Sequence, residues 1–340
     1  MFFGGSIIMA IRSLGNSKVR YAAVLRESGA RAAYKFNAWY GNRGIWGGGY
    51  GGAPGSHTYQ VTINYEEIDT SSNAADFGDL TAGRQYCTCA SNGSRAVFMG
   101  GDGASPLQPG KTALIDYITI GTTGNAAEFG DLTVPTEASA SCSDGYGRGI
   151  RAGGQYPGTN YRDSIDYVTI SNKGYATDFG NLATAANQFQ GCNDKTRGVF
   201  GGGNVSPGTE TNVIQYITTQ TASYATDFGD LSVARSQVGA CSSRTRGVWS
   251  GGSIDPAYSN VIDYVAIQTT GNATDFGDCT SQRGRQAGAS NSIRGLFGGG
   301  QESPAKQNST QYITLATPGN ATDAGDLTIE DAAMGGCSGT

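Results

Sequence analysis

One phrase recurs six times along the chain and leaves few folds open. Arg43-Gly44-Ile45-Trp46 returns as Arg95-Ala96-Val97-Phe98, Arg148-Gly149-Ile150, Arg197-Gly198-Val199-Phe200, Arg246-Gly247-Val248-Trp249 and Arg294-Gly295-Leu296-Phe297. Each runs into a glycine pair, at Gly48-Gly49, Gly100-Gly101, Gly153-Gly154, Gly202-Gly203, Gly251-Gly252 and Gly299-Gly300, so that successive pairs stand 48 to 53 residues apart. A fixed period of this length marks a repeat architecture in which each unit is one supersecondary block stacked on its neighbours.

Further landmarks keep register inside each unit. Tyr65, Tyr117, Tyr167, Tyr216, Tyr264 and Tyr312 sit in short alternating runs such as Ile262-Asp263-Tyr264-Val265-Ala266-Ile267. That alternation is the period-two pattern of a strand. A second motif follows, as Asp76-Phe77-Gly78-Asp79, Glu128-Phe129-Gly130-Asp131, Asp178-Phe179-Gly180-Asn181, Asp227-Phe228-Gly229-Asp230, Asp275-Phe276-Gly277-Asp278 and Asp323-Ala324-Gly325-Asp326. A run of small residues, for example Val238-Gly239-Ala240-Cys241-Ser242, then precedes the next arginine. Each unit therefore reads as four short strands: b into the glycine pair, c around the tyrosine, d around the phenylalanine, and a in the small-residue run.

Four strands in about 50 residues make one blade of a β-propeller. The pattern resembles the kelch repeat, with an apolar strand, a glycine pair and a spaced aromatic on each of two later strands. Arg84, Arg235 and Arg283 fall where kelch units carry an arginine before the inner strand. Two departures make the chain kelch-like: the second aromatic is Phe where kelch has Trp, and that arginine is missing from three of the six clear units. The expected organisation is a single propeller domain over 1–340, with units 1–42 (degenerate), 43–94, 95–147, 148–196, 197–245, 246–293 and 294–340. Met1-Phe2-Phe3-Gly4-Gly5-Ser6 aligns with Val97 to Asp102, and Met334 to Ser338 matches strand a. The C-terminal strand is thus expected beside the N-terminal one, closing seven blades. The alternative is six blades with a separate N-terminal arm.

Composition agrees with an all-β fold. Gly supplies 54 of 340 residues and charged residues only 15%, which disfavours long helices because each interior Gly costs about 1 kcal/mol relative to Ala. The net charge is −5 and the basic residues are scattered singly, without the basic stripe of a nucleic-acid binder. Apolar runs such as Ser6 to Ile11 fall far short of the roughly 20 residues of a spanning helix, and Met1 to Gly5 lacks the basic head of a secretory signal. Neither nucleic-acid binding nor membrane insertion is expected, and the single histidine, His57, excludes chemistry needing several imidazoles.

The repeated residues read as structural. The glycine pairs end strands with no following helix or Lys-Ser/Thr pair, so they mark close backbone approach where blades converge. In the second motif the Phe is expected to wedge between blades, the Gly to bend the strand and the acids to bond turn amides. No metal or cofactor is expected. Cys89, Cys142, Cys192, Cys241 and Cys337 share one place on the innermost strand, where neighbouring blades are expected to hold them too far apart for a disulfide.

One face of such a propeller varies. The a–b and c–d turns are alike, whereas the b–c loops differ in every unit and hold seven of the nine prolines. Tyr50, His57, Tyr59, Tyr156, Tyr161, Asp255, Tyr258 and Glu302 lie there as candidate binding residues, the tyrosines offering rigid amphipathic contact area. The units, above all Asn-Ala-Thr-Asp-Phe-Gly-Asp-Leu and Arg-Gly-Val-Phe-Gly-Gly-Gly, resemble repeats in virion proteins of tailed phages from marine hosts, cyanophages among them. The resemblance covers residues 43–340. It implies a non-enzymatic tail fibre or baseplate protein, located in the virion, that recognises a host-surface glycan or protein or docks onto other virion proteins. Two alternatives stand beside it: a propeller-scaffold glycan hydrolase or lyase, for which no convergent carboxylate pair can be picked, and an intracellular kelch-type adaptor.

Overall fold

A computed structural model describes residues 41–51, 58–103, 110–144, 146–156, 160–205 and 208–339. The chain divides into two compact units, 1–38 and 39–340; the degenerate unit expected over 1–42 lies almost wholly outside the described residues. Among the described residues the regular elements are all strands.

The a, b, c and d strands form a series of antiparallel sheets in that order. Sheet II is Thr88–Ser91, Arg95–Met99, Leu114–Thr119 and Ala127–Asp131; sheet III is Ala140–Ser143, Arg148–Ala152, Ser164–Thr169 and Thr177–Asn181. Sheet IV comprises Gln190–Asn193, Arg197–Gly201, Val213–Thr218 and Thr226–Asp230, and sheet V Gly239–Ser242, Arg246–Ser250, Val261–Ala266 and Thr274–Asp278. In sheet VI, Ala287–Ser290 and Arg294–Gly298 precede two longer strands, Ala305–Thr314 and Thr322–Asp331. Sheet I joins the two ends of the unit: Gly335–Gly339 lies beside Arg43–Gly47, followed by Thr62–Glu67 and Ala75–Asp79. The array is propeller-like.

The last strand corrects one expectation. Its partner is Arg43–Gly47, with Cys337 opposite Ile45 and Ser338 opposite Gly44, while residues 2–5, the expected partner, lie outside the described residues. Arg43–Gly47 would otherwise present an open edge of backbone donors and acceptors, and the C-terminal strand covers it.

Each inner a strand neighbours the inner strands on either side, in the order I to VI and back to I. A ring of backbone hydrogen bonds links their entry residues. Ala138 donates to Tyr86 O, Gln188 to Ala138 O, Gln237 to Gln188 O, Arg285 to Gln237 O, Ala333 to Arg285 O and Tyr86 to Ala333 O, at 2.7 to 3.0 Å. All six donors have positive φ, between 53° and 62°. A non-glycine residue in this region costs roughly 1–2 kcal/mol, and the bond each makes to the next sheet offsets that strain.

The repeat landmarks are inter-sheet contacts. The arginine opening each b strand stacks on its own strand-c tyrosine, from Arg294 over Tyr312 at 4.2 Å to Arg148 over Tyr167 at 4.6 Å. Each also donates to a carbonyl of the next sheet: Arg43 to Ile120 O, Arg95 to Ile170 O, Arg148 to Thr219 O, Arg197 to Ile267 O, Arg246 to Leu315 O and Arg294 to Ile68 O. The strand-d phenylalanines meet the same tyrosines edge-on, as in Tyr216–Phe228 at 5.8 Å. Apolar side chains fill the space between sheets; one cluster joins Val199, Ile214, Phe228 and Leu231 of sheet IV to Trp249, Val265 and Ile267 of sheet V.

The cysteines are not all equivalent. Cys142 stands opposite Ile150 and Cys337 opposite Ile45, but the matching place in sheet II is Ala90, opposite Val97. Cys89 is one residue out of step, so its side chain faces the other side of the strand. It meets Cys337 with the two Sγ atoms 2.9 Å apart. The expectation that cysteines on neighbouring sheets stay out of reach fails for this pair.

Candidate ligand-binding site

The six left-handed entry residues surround the end of the central channel on the side of the b–c loops. Their backbone is repeated; their side chains are Tyr86, Ala138, Gln188, Gln237, Arg285 and Ala333. Three residues further along the same strands, Cys89, Ser141, Gly191, Ala240, Gly288 and Gly336 line a second cavity, of about 80 Å³, beside a near-uniform ring of Ser91, Ser143, Asn193, Ser242, Ser290 and Ser338. That ring is tied by its own bonds, including Ser91 N to Ser143 Oγ at 3.0 Å and Ser338 Oγ to Ser290 O at 2.5 Å. Uniform polar residues hold the channel together, and unlike ones edge its mouth.

The mouth is a cavity of about 40 Å³ that Cys87, Phe189, Val238 and Met334 line with apolar surface. Its polar side is a chain of hydrogen bonds. Asn204 Nδ2 donates to Gln188 Oε1 at 2.9 Å and Arg285 Nε to Gln237 Oε1 at 3.0 Å. Arg285 Nη1 donates to Gln301 Oε1 at 2.6 Å and to the Tyr50 hydroxyl. The guanidinium lies 5.6 Å from the Tyr50 ring centre and 5.9 Å from that of Tyr86. Burial pushes the Tyr86 and Tyr50 hydroxyls up from their ordinary value, so both stay protonated donors.

The candidate residues fall into three groups. Tyr50 and Tyr258 stand behind the mouth: Tyr50 is buried, 2% exposed, and its hydroxyl holds Arg285 and Gln301, while the Tyr258 ring lies against Gly284 close to Gln237. Tyr59, Tyr156 and Tyr161 stand further out and are half-buried: Tyr59 donates to Asp102 Oδ2 at 3.1 Å, Arg162 stacks on Tyr156 at 4.4 Å, and the Tyr161 hydroxyl accepts from Gly208 N at 3.4 Å. Asp255 is exposed, its amide bonded to Glu210, and Glu302 pairs with Arg283 at 3.3 Å. His57 lies outside the described residues.

Sequence reading missed Tyr86, Gln188, Gln237 and Arg285. They belong to the small-residue run, which reads as inner strand, and the available signal was that this one place differs from unit to unit. Among the described residues, the large apolar side chains most exposed to solvent sit mainly on the other face. Tyr146 and Ile293 in a–b turns and Tyr175 and Tyr224 in c–d turns are 53 to 79% exposed.

Among the described residues no group of three or more His, Cys, Asp or Glu is gathered as a metal site. No protein-family profile matches the chain, and no curated protein matches it at a significant level.

Proposed function

We propose that this chain is a non-enzymatic binding module, a six-bladed kelch-like propeller of the kind carried in phage tails, whose b–c face recognises a host-surface ligand. One observation carries the reading: the backbone of the channel mouth is the same in every sheet, while its side chains and the loops around it are not. A frame that repeats and a surface that does not is the division expected of a recognition scaffold. The bonds that hold Arg285, Gln188 and Gln237 fix that surface in advance, which lowers the entropic cost of binding.

A docking role on the other face rests on a separate observation, the exposure of Tyr146, Tyr175, Tyr224 and Ile293. Large exposed aromatics are favourable contacts at protein interfaces. In this reading the c–d turn face meets a neighbouring virion protein and the b–c face stays free.

The test is adsorption of the intact chain to host cells and to tail particles. Replacing Tyr161 and Tyr258 together by Ala should weaken adsorption to cells and leave binding to particles unchanged. Replacing Tyr175 and Tyr224 should do the reverse. Cell adsorption that survives the first pair and falls with the second would reverse the two faces.

A further inference from the structure

We propose that the channel mouth binds the carboxylate of an acidic sugar, with Arg285 and Tyr86 gripping it. This rests on the b–c face being a binding surface and names the ligand class for it. Arg285 is anchored through two nitrogens, Nε on Gln237 and Nη1 on Gln301 and Tyr50. Neither its Nη2 nor the Tyr86 hydroxyl is hydrogen-bonded to another described residue, and both residues line the cavity. With Nε and Nη1 engaged, Nη2 is held in place to donate a charge-assisted hydrogen bond to one carboxylate oxygen. The Tyr86 hydroxyl, kept protonated by burial, supplies a further donor.

Size and surroundings narrow the ligand. A space of about 40 Å³ holds a few heavy atoms and not a sugar ring, since one water already needs roughly 10–15 Å³ on this measure. The carboxylate therefore enters while its ring remains at the rim. There the Gln188 and Gln237 amides can reach hydroxyls, and Tyr258 offers an aromatic face. A few placed polar groups around an apolar lining are the usual means of fixing a small ligand. A dianionic phosphate would meet one fixed guanidinium and a neutral phenol, which suits a monoanion better.

The experiment is calorimetric titration of the full chain with methyl β-glucuronide, methyl β-glucoside and acetate, with a melting curve for each variant. The glucuronide should bind at least tenfold more tightly than either other probe. Arg285→Gln should lose at least tenfold in glucuronide affinity. Tyr86→Phe, which removes one hydroxyl and keeps the ring, should lose severalfold with its melting curve unchanged. Failure of the glucuronide to bind, equal affinity for the glucoside, or affinity that survives both variants would overturn the proposal. Acetate binding as tightly as the glucuronide would overturn its sugar part. These outcomes are separate from cell adsorption in the Tyr161 and Tyr258 variant, so the ligand class can fail while the binding face stands.

Discussion

Arg84, Arg151 and Arg235 are fully buried, and each has an aspartate from the residue before a strand-c tyrosine. Arg84 meets Asp116 at 2.8 Å, Arg235 meets Asp263 at 3.0 Å, and Arg151 pairs with Asp166. Sheets without such an arginine carry Asn64 or Gln215 at that place. In sheet VI the residue is Gln311, and Arg283 turns to Glu302. The same side chain also caps the d–a turn, as Asp263 does for Ser232 N at 3.1 Å and Gln311 for Thr280 N at 2.8 Å. Because an unpaired buried charge is costly, Asp263→Ala should destabilise by about 3–5 kcal/mol in a denaturant titration. Phe228→Ala should cost a similar 3–5 kcal/mol as a core cavity. Glu66 is the odd residue of its set, a buried carboxyl where the other sheets have Ile or Val. It accepts one bond from Thr310, its Oε2 has none, and burial pushes it up to about 8 from an ordinary 4.5. A raised carboxyl stabilises fully below its unfolded value, and that contribution is lost as pH rises towards the folded one. Unfolding titrations at pH 4.5 and 8 should show the wild type losing on the order of 4 kcal/mol relative to Glu66→Gln.

At the level of strands and turns, glycine sets how closely sheets approach. The second glycine of each pair donates to the carbonyl four residues before the next inner strand, as Gly203 N does to Arg235 O at 2.9 Å. Gly203 has φ +99°, and a Cβ there would stand 2.5 Å from Asn187 O. Gly203→Ala should therefore cost well over the roughly 1 kcal/mol of backbone strain alone. Gly208→Ala, at φ +82° in open space, should cost only that strain, and paired melting curves compare the two. In the second motif the glycine takes up a register shift between strands c and d, seen at Ile214/Gln215 and at the matching place of the other sheets. The acids there were expected to bond turn amides. The bond runs the other way: the Asp230 amide donates to Asn272 Oδ1 of the adjoining turn at 3.1 Å, and Asp278 likewise to Asn320. The asparagine in Asn-Ala-Thr is thus a repeated inter-sheet acceptor.

Across the whole unit, closure rests on one short strand. Gly335–Gly339 supplies the inner strand of sheet I and touches its neighbours in sheets II and VI. Deleting residues 333–340 breaks the backbone ring at Ala333 and exposes the edge of Arg43–Gly47, so the truncated chain should unfold or self-associate. Size-exclusion chromatography with a melting curve checks this; an unchanged monomer would exclude it. Cys89 and Cys337 stand across the same junction. Incubation with oxidised glutathione should pass their two electrons to the added disulfide, releasing two reduced glutathiones and joining the two sulfurs. Peptide mapping without reductant should find the Cys89–Cys337 link, and the linked chain should resist unfolding more strongly.

Sequence alone determined the period, the four strands of each unit and the residues that open, turn and pack them, because those depend on neighbours in the chain and recur six times. It could not decide which strand the C-terminal run would complete. Residues 2–5 and Arg43–Gly47 carry the same pattern, and the choice depends on which edge lies within reach once the sheets are arranged. The mouth was illegible for a related reason. Tyr86, Gln188, Gln237 and Arg285 lie 48 to 102 residues apart in small-residue runs, and only the cyclic order of the inner strands brings them together. Tyr50 shows the converse: its loop marks it as surface, and packing against Ala332 and Ala333 buries it. Local pattern sets strands and turns, while proximity across the channel exists only in the assembled ring.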